Sequence, residues 1–107
     1  MKKLIAAALF VPSVALANVT HFETGNTLLS KIDSINTVEQ MVALGYIKGI
    51  ADAHSGTSIC APLSVTAGQI NDMVAQFLRV YPEHRSYTGG SIVLHVLSSA
   101  WPCGKRM

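Results

Sequence analysis

The sequence predicts an all-α protein, a small bundle of about four helices joined by one disulfide bond. Four segments carry apolar residues at the three- and four-residue spacing of an amphipathic helix. Several of these segments begin at a capping residue or end at a proline, and no segment alternates apolar and polar residues as a strand does. The chain has 107 residues, of which 50% are hydrophobic and 13% charged. This composition excludes a disordered polar chain, and the length predicts one domain.

The first 17 residues have the three regions of a secretory signal peptide. Two lysines precede an apolar run that begins at Leu4 and closes with small residues at Ala17. This run contains a proline and is shorter than the roughly 20 apolar residues that span a bilayer. We therefore predict export, cleavage between Ala17 and Asn18, and a single mature domain over 18–107.

Cleavage would change the charge balance of the chain. The net charge of +2 arises from eight Lys and Arg against six Asp and Glu, so loss of Lys2 and Lys3 leaves six cations and six acids. A nucleic-acid-binding protein needs a clustered basic surface, and in the mature chain only Lys105 and Arg106 adjoin each other. No later apolar run is long enough to span a bilayer. We predict a periplasmic location in a Gram-negative source, no nucleic-acid partner, and no membrane association after cleavage.

The mature chain contains two cysteines, Cys60 and Cys103. Exported proteins fold in an oxidising compartment, so an intramolecular disulfide is predicted. A free or catalytic thiol is the alternative, although no basic residue adjoins Cys60 to activate it. Neither C-x-x-C nor H-x-x-x-H occurs, so no metal or cofactor is predicted. Closing a loop of about 44 residues would stabilise the folded chain by about 4 kcal/mol.

The first two predicted helices lie in the N-terminal half of the mature chain. A short helix over 26–33 is marked by Leu28, Leu29 and Ile32. A longer one begins after Asn36, a capping residue that Glu39 follows three positions later. Its predicted apolar face consists of Val38, Met41, Val42, Tyr46, Ile50 and Ala53. Gly45 and Gly49 lie one turn apart in this helix. The favoured interpretation is that they let a neighbouring helix come close, and the alternative is a dimer interface.

A loop over 55–65 follows the second helix and contains Cys60 and a proline. Loops that rigid helices hold in place often carry binding residues, so this loop is the predicted partner-binding segment. The candidate contact residues are Ser55, Gly56, Thr57, Ser58, Leu63 and Ser64.

The last two predicted helices follow this loop. The third runs over 66–81, because Thr66 and Gln69 form a capping box and Pro82 ends the helix. Its predicted apolar face consists of Ile70, Met73, Val74, Phe77, Leu78 and Tyr81. The fourth runs over about 87–101 and stops before Pro102. Its predicted apolar face consists of Ile92, Val93, Val96, Leu97 and Ala100.

Groups that could carry catalysis are sparse. The four histidines are scattered without triad or metal spacing, at His21, His54, His84 and His95. The pair Gly89 and Gly90 lacks the third glycine and the preceding strand of a phosphate-binding loop. The favoured interpretations are a helix-end residue for His54 and a packing residue beside the disulfide for Trp101. We therefore predict no enzymatic activity.

Five short motifs follow one another between Gly25 and Cys103. They are G-Y-I-x-G-I-A-D-A from Gly45, C-x-P from Cys60, V-T-x-G-Q from Val65, Y-P-E-x-R from Tyr81 and W-P-C from Trp101. In this order and spacing they resemble the Rap/Tai immunity proteins. These are small periplasmic proteins of bacteria with type VI secretion, and they include neutralisers of peptidoglycan amidase effectors.

The resemblance implies an all-helical protein that binds and occludes a secreted cell-wall amidase rather than catalysing a reaction. It also implies a homodimer in many members and a structural disulfide between Cys60 and Cys103. Many relatives have a further cysteine pair that this chain lacks, since Ile32 stands at one of the two positions and 41–44 contains no cysteine. An apolar contact is expected to replace that bridge.

Two other functions are kept as alternatives. A periplasmic helical stress chaperone or stability factor without a toxin partner is the second hypothesis, since small disulfide-bonded helical domains can expose apolar surface when protonated. An enzymatic function that depends on His54 or His95 is the third.

Overall fold

The computed structural model describes residues 22–104, and this part of the chain contains four α-helices. They are α1 (Gly25–Ile32), α2 (Thr37–His54), α3 (Ala67–Val80) and α4 (Gly89–Ala100). A single 3-10 turn at Pro82–His84 joins α3 to α4, and all four helices contact one another. Over 22–104 no helix is long and apolar enough to cross a membrane. The predicted all-α class with one disulfide is confirmed.

Some sequence predictions fall outside this range. The predicted signal peptide, its cleavage site at Ala17 and Asn18, His21, and the Lys105 and Arg106 pair all lie outside the described residues. Export of the chain therefore stays a prediction.

Each helix begins at a side-chain cap. Thr24, Asn36, Thr66 and Thr88 each accept a hydrogen bond from the backbone amide three residues later. The predicted capping box of Thr66 and Gln69 is present in α3, and Thr24 with Thr27 forms another in α1. These bonds satisfy amides that have no partner inside a helix. The predicted helix starts at Asn36 and Thr66 are therefore confirmed.

The core combines apolar side chains from all four helices and from the loop after α2. Its most buried members are Leu28, Ala43, Ile47, Ile59, Ile70, Val74, Leu78, Ile92, Val93 and Leu97. The predicted faces of α3 and α4 are largely correct. Tyr81, which is 45% exposed, and the exposed Ala100 are exceptions, because both lie at the last turn of a helix, beyond the packed layer. Ile32 packs against the core, as expected for an apolar residue in place of a cysteine.

The predicted apolar face of α2 is wrong. The helix buries Ala43 and Ile47, and only Tyr46 and Ile50 of the predicted set pack against the core. The others point to solvent: Val38, Met41 and Val42 are 70%, 60% and 47% exposed, and Ala53 is exposed. Apolar residues lie on both sides of this helix, so their spacing alone does not select the buried side.

The interpretation of the α2 glycines as close-packing positions is also wrong. A Cβ atom built on Gly45 or Gly49 would have no atom of this chain within 4 Å. The tight positions are instead the first residues of α1 and α4. A Cβ on Gly25 would lie 2.7 Å from Ile92 Cδ1, and one on Gly89 would lie 3.0 Å from Tyr46 Cε2.

Backbone hydrogen bonds join the starts of α1 and α4. They run from the amide of Gly25 to the carbonyl of Tyr87 (3.0 Å), from Asn26 to Arg85 (2.8 Å), and from Gly89 to Glu23 (2.9 Å). Thr24 and Thr88 form an isolated antiparallel β-bridge at the same place. We call this contact the α1/α4 junction. The Arg85 guanidinium also donates a hydrogen bond to the carbonyl of Leu78 at 2.7 Å. This bond connects the end of α3 to the α1/α4 junction.

Glu23 is a largely buried carboxylate beside the α1/α4 junction. Its side chain is 11% exposed, forms an ion pair with Lys31 and accepts a hydrogen bond of 2.5 Å from the Thr27 hydroxyl. Burial raises the pKa of Glu23, but the hydrogen bonds from Lys31 and Thr27 and the charge of Lys31 outweigh it, so the pKa lies below its usual value. Burial and the Glu23 charge raise the pKa of the adjacent Tyr46.

We expect the Glu23 pair to make the stability of the fold depend on acidic pH. A carboxyl group with a lowered pKa in the folded state stabilises that state above its unfolded pKa, and the stabilisation is lost as the pH falls through the folded pKa. Glu23→Gln should therefore lower the free energy of unfolding by about 1 kcal/mol at neutral pH and by much less near about pH 3. Urea denaturation at both pH values measures this difference.

Glu39→Gln is the matched control, because Glu39 is an exposed acid. It should change the free energy of unfolding by less than about 0.5 kcal/mol at either pH. An equal loss for Glu23→Gln at neutral and acidic pH would show that the charge of Glu23 is not the stabilising element.

Candidate functional site

The predicted partner-binding segment, residues 55–65, forms a structured loop between α2 and α3, which we call the disulfide loop. Its first part turns tightly around the last carbonyl of α2. The amides of Thr57, Ser58 and Ile59 and the Thr57 hydroxyl all donate to the carbonyl oxygen of His54 at 3.1 Å. Gly56 adopts φ +87°, a backbone conformation that favours glycine. His54 is the last residue of its helix, as predicted, and its carbonyl organises this turn.

Three contacts hold the middle of the disulfide loop against the bundle. The Ile59 side chain is 3% exposed and belongs to the core. The next residue, Cys60, forms the predicted disulfide with Cys103, with Cα atoms 4.9 Å apart. The amide of Cys60 also donates to the carbonyl of Trp101 at 2.8 Å. The loop is therefore fixed on both sides by groups from distant parts of the chain.

The tip of the loop projects from this anchor. Pro62, Leu63 and Ser64 are exposed, and Leu63 is fully exposed. The amide of Val65 donates to the carbonyl of Pro62 at 3.1 Å, which closes a turn around the tip. Because the turn is anchored at its base, the Leu63 side chain stays exposed to water. Its apolar surface is buried only when a partner covers it.

A cavity of about 250 Å³ lies beside this tip. Its walls include Ile59, Ile70, Leu97 and Trp101, and the ion pair of Lys48 and Asp52 (3.2 Å) is among the lining residues. Ser55 and Leu63 also line it. An exposed apolar side chain beside a partly apolar cavity can contact a complementary protein surface. A pocket on the partner would accept the side chain, and a projection on the partner would enter the cavity.

The structure brings the six candidate contact residues into one loop but does not present all of them equally. Ser55, Gly56, Thr57, Leu63 and Ser64 are exposed, whereas Ser58 is half-buried. Their role as contact residues stays a prediction. Trp101 is half-buried, packs against the core and lines the cavity, and its carbonyl bonds to the disulfide loop.

A cluster of rings that the sequence did not predict lies around the connection between α3 and α4. The Phe77 ring lies 5.0 Å from Tyr81, 5.3 Å from His84 and 5.6 Å from His95, measured between centroids. Tyr87 contacts His84 at 5.3 Å. Phe77 and Tyr81 at i, i+4 were a local signal for part of this cluster, but its remainder is assembled by packing. His84 and His95, which are 11 residues apart in sequence, both contact the Phe77 ring.

The cluster does not form a recognisable catalytic or metal-binding arrangement. Among the described residues no group of three or more His, Cys, Asp or Glu side chains could hold a metal ion. His84 and His95 instead line a pocket of about 240 Å³, together with Phe77, Tyr87, Ser91 and Ile92.

Two comparisons with known proteins bear on this surface. The family model of the Rap1a immunity proteins matches residues 24–103, which includes all four helices, the disulfide loop and both cysteines. A pentatricopeptide repeat-containing protein of Arabidopsis thaliana is 38% identical over a stretch that covers 51% of this chain but 17% of that protein. The chain thus spans less than a fifth of the length of that relative. This similarity assigns no function to the present chain.

Proposed function

Because the chain belongs to the Rap1a immunity protein family, we propose that it is an exported immunity protein that binds and neutralises a type VI secretion effector in the periplasm. The family match over residues 24–103 is the observation that carries this proposal. It favours immunity over the stress-chaperone and enzymatic alternatives. Members of such a family act by binding rather than by catalysis, and the exposed tip of the disulfide loop offers a contact surface.

The predicted export signal and the disulfide support the proposed periplasmic location. The first 17 residues have the pattern of a cleavable signal peptide. The bond between Cys60 and Cys103 is of the kind that persists in an oxidising compartment. Both features fit a protein that meets its partner outside the cytoplasm.

A peptidoglycan amidase is the proposed effector, and occlusion of its active site is the proposed mechanism. Enzymes that cleave long polymers bind them in clefts, and a projecting turn fits a cleft better than a flat surface does. The disulfide loop is such a turn, with Leu63 at its tip and its base fixed by Ile59 and Cys60. Because the loop is ordered before binding, little conformational entropy is lost when it docks.

We expect the tip of the loop to contribute strongly to effector binding. Leu63→Asp should weaken binding by about 30-fold or more, since it places a charge where an apolar side chain would be buried in the complex. The fold should be unaffected, because Leu63 is fully exposed. The test uses the mature chain and candidate amidase effectors of the source bacterium, with calorimetry for affinity and sacculus digestion for inhibition.

Val80→Asp is the matched control, since Val80 is a 53% exposed apolar residue of α3 outside the disulfide loop. It should bind and protect like the unmodified chain. If Leu63→Asp protects sacculi as well as the unmodified chain does, the loop is not the contact surface. If the unmodified chain binds none of the amidases, the proposed effector class is wrong.

A further inference from the structure

The charged residues of the chain are unevenly distributed. All six acids but only four of the six cations of 18–107 lie within 22–104, so this part of the chain has a net charge of −2. Three of these four cations form ion pairs, Lys31–Glu23, Lys48–Asp52 and Arg79–Asp33. The fourth, Arg85, donates hydrogen bonds to two backbone carbonyls. The acids that have no ion pair with a residue of 22–104 are Glu39, Asp72 and Glu83.

These unpaired acids lie away from the disulfide loop. Glu39 is in the first turn of α2, at the opposite end of that helix from the loop, and Glu83 follows the far end of α3. Asp72 lies in α3 two residues after Ile70, which lines the cavity beside the loop. Two residues correspond to a rotation of about 200° along a helix, so Asp72 is on the opposite side of α3. The loop itself, residues 55–65, contains no charged residue.

The two remaining cations, Lys105 and Arg106, are connected to the side of the molecule that carries the loop. They follow Cys103, whose Cα atom lies 4.9 Å from that of Cys60. A residue spans at most about 3.6 Å, so covalent geometry keeps their Cα atoms within about 7 Å and about 11 Å of the Cys103 Cα atom. The pair outnumbers the single negative charge that a carboxylate at Met107 would add. The disulfide therefore connects a positive segment to an uncharged loop.

We propose that the effector surface bordering the disulfide loop is acidic, and that Lys105 and Arg106 attract this surface during association. The inference rests on the proposed function and names the chemistry of the partner. Positive charge beside the loop speeds the encounter with an acidic surface. The unpaired acids on other parts of the chain are repelled by the same surface. Together they turn the loop toward the partner before Leu63 makes contact.

A protein partner fits this arrangement better than an anionic membrane does. Recognition of anionic lipids typically uses four to eight clustered cations, each worth about 1 kcal/mol near the surface. Two cations beside a bundle with a net charge of −2 do not supply that attraction. They are sufficient to orient a protein encounter, because the apolar contact at Leu63 and the adjacent cavity supplies the short-range affinity.

The kinetic test uses Lys105→Gln combined with Arg106→Gln, and an amidase effector that the unmodified mature chain binds. Association should slow by about three- to fivefold at about 20 mM NaCl, where charges interact over tens of ångströms, and by less than about 1.5-fold at about 500 mM. The dissociation rate should stay within about twofold, because charges at the rim of an interface act mainly on association. Stopped-flow fluorescence measures both rates.

A charge-balanced variant separates the position of the charges from their sum. Adding Glu39→Gln and Glu83→Gln to the double change restores the net charge without restoring cations beside the loop. Both acids are exposed, so the fold should be retained, and circular dichroism verifies this. Association should remain within about twofold of the slow double variant. Recovery of the unmodified rate would show that net charge alone acts, and would overturn the proposal.

A second measurement does not require the effector. Anionic and cationic nitroxide probes report the electrostatic potential near each amide through paramagnetic relaxation in NMR spectra. Amides of 55–65 should be relaxed more by the anionic probe, and this preference should disappear in the double variant. Absence of the preference in the unmodified chain would overturn the proposal, whether or not an amidase binds.

The remaining outcomes distinguish the possible failures. If the probe preference is present but no amidase binds, the proposed function fails while the positive surface stands. If an amidase binds at a rate that the double change does not alter, the acidic partner surface is wrong. If the double change instead reduces binding to purified sacculi or anionic vesicles, the two cations serve the cell wall or the membrane, and the proposal is overturned.

Discussion

Replacing Gly25 with alanine is expected to destabilise the folded chain by about 3 kcal/mol or more. The added methyl group would lie 2.7 Å from Ile92 Cδ1, 2.8 Å from Arg85 Cα and 2.9 Å from the Arg85 carbonyl oxygen. Two of these atoms belong to the backbone, so they can move only if the α1/α4 junction opens. The measurement is the free energy of unfolding from urea denaturation, with α1 followed by hydrogen exchange.

Gly45→Ala and Gly49→Ala provide the contrast within the same chain. Both glycines lie inside α2 with no atom of the described chain within 4 Å of an added Cβ, so alanine should stabilise the folded chain by up to about 1 kcal/mol at each position. The measurement is again the free energy of unfolding from urea denaturation. A similar effect of alanine at Gly25 and at Gly45 would show that helix propensity, rather than crowding at the junction, determines the outcome.

Removal of the disulfide should be the other large effect. Cys60→Ser with Cys103→Ser opens a loop whose ends are 43 residues apart in sequence, and about 4 kcal/mol of stability should be lost. A domain of this size has a total stability on the order of 5 to 15 kcal/mol, so this loss is a large fraction of the total and the variant should unfold at a clearly lower temperature. Chemical denaturation and hydrogen exchange of the disulfide loop measure the global and the local change.

The unmodified chain with a reduced disulfide is the control for this variant. It should lose as much stability as the double serine variant, because both lack the same covalent link. Protection of residues 55–65 from hydrogen exchange should fall further than that of α3, since Ile59 and Cys60 are the points where the loop is anchored. If the hydrogen-exchange protection of residues 55–65 is unchanged in either form, the disulfide does not anchor the loop.

The sequence was most informative where the structural signals are local. The start of α3 follows from Thr66 and Gln69, which are three residues apart, and its end follows from Pro82. The position of the disulfide loop and the pairing of Cys60 with Cys103 were also accessible, because a chain with two cysteines allows one pairing. The class of fold and the family resemblance depend on signals of this kind.

The sequence was misleading where the outcome depends on distant contacts. α2 has apolar residues on two sides, and the choice between them is made by the other helices that pack against Ala43 and Ile47. The glycines that matter for packing are Gly25 and Gly89, whose close neighbours are distant in sequence. No local pattern distinguishes these glycines from Gly45. The half-buried position of Ser58 likewise depends on the turn around the His54 carbonyl.

The α1/α4 junction has a consequence for the order in which the protein folds. It joins the residues around Glu23 to those around Gly89, roughly 60 positions later, and contacts of such high contact order form slowly. A helix of two turns such as α1 is unstable alone. When the chain enters a compartment with its N-terminus first, the hydrogen bonds of this junction cannot form until the start of α4 has followed. A nascent chain that ends before Arg85 should therefore lack the bonds that fix the start of α1, and the bundle should close in a late step.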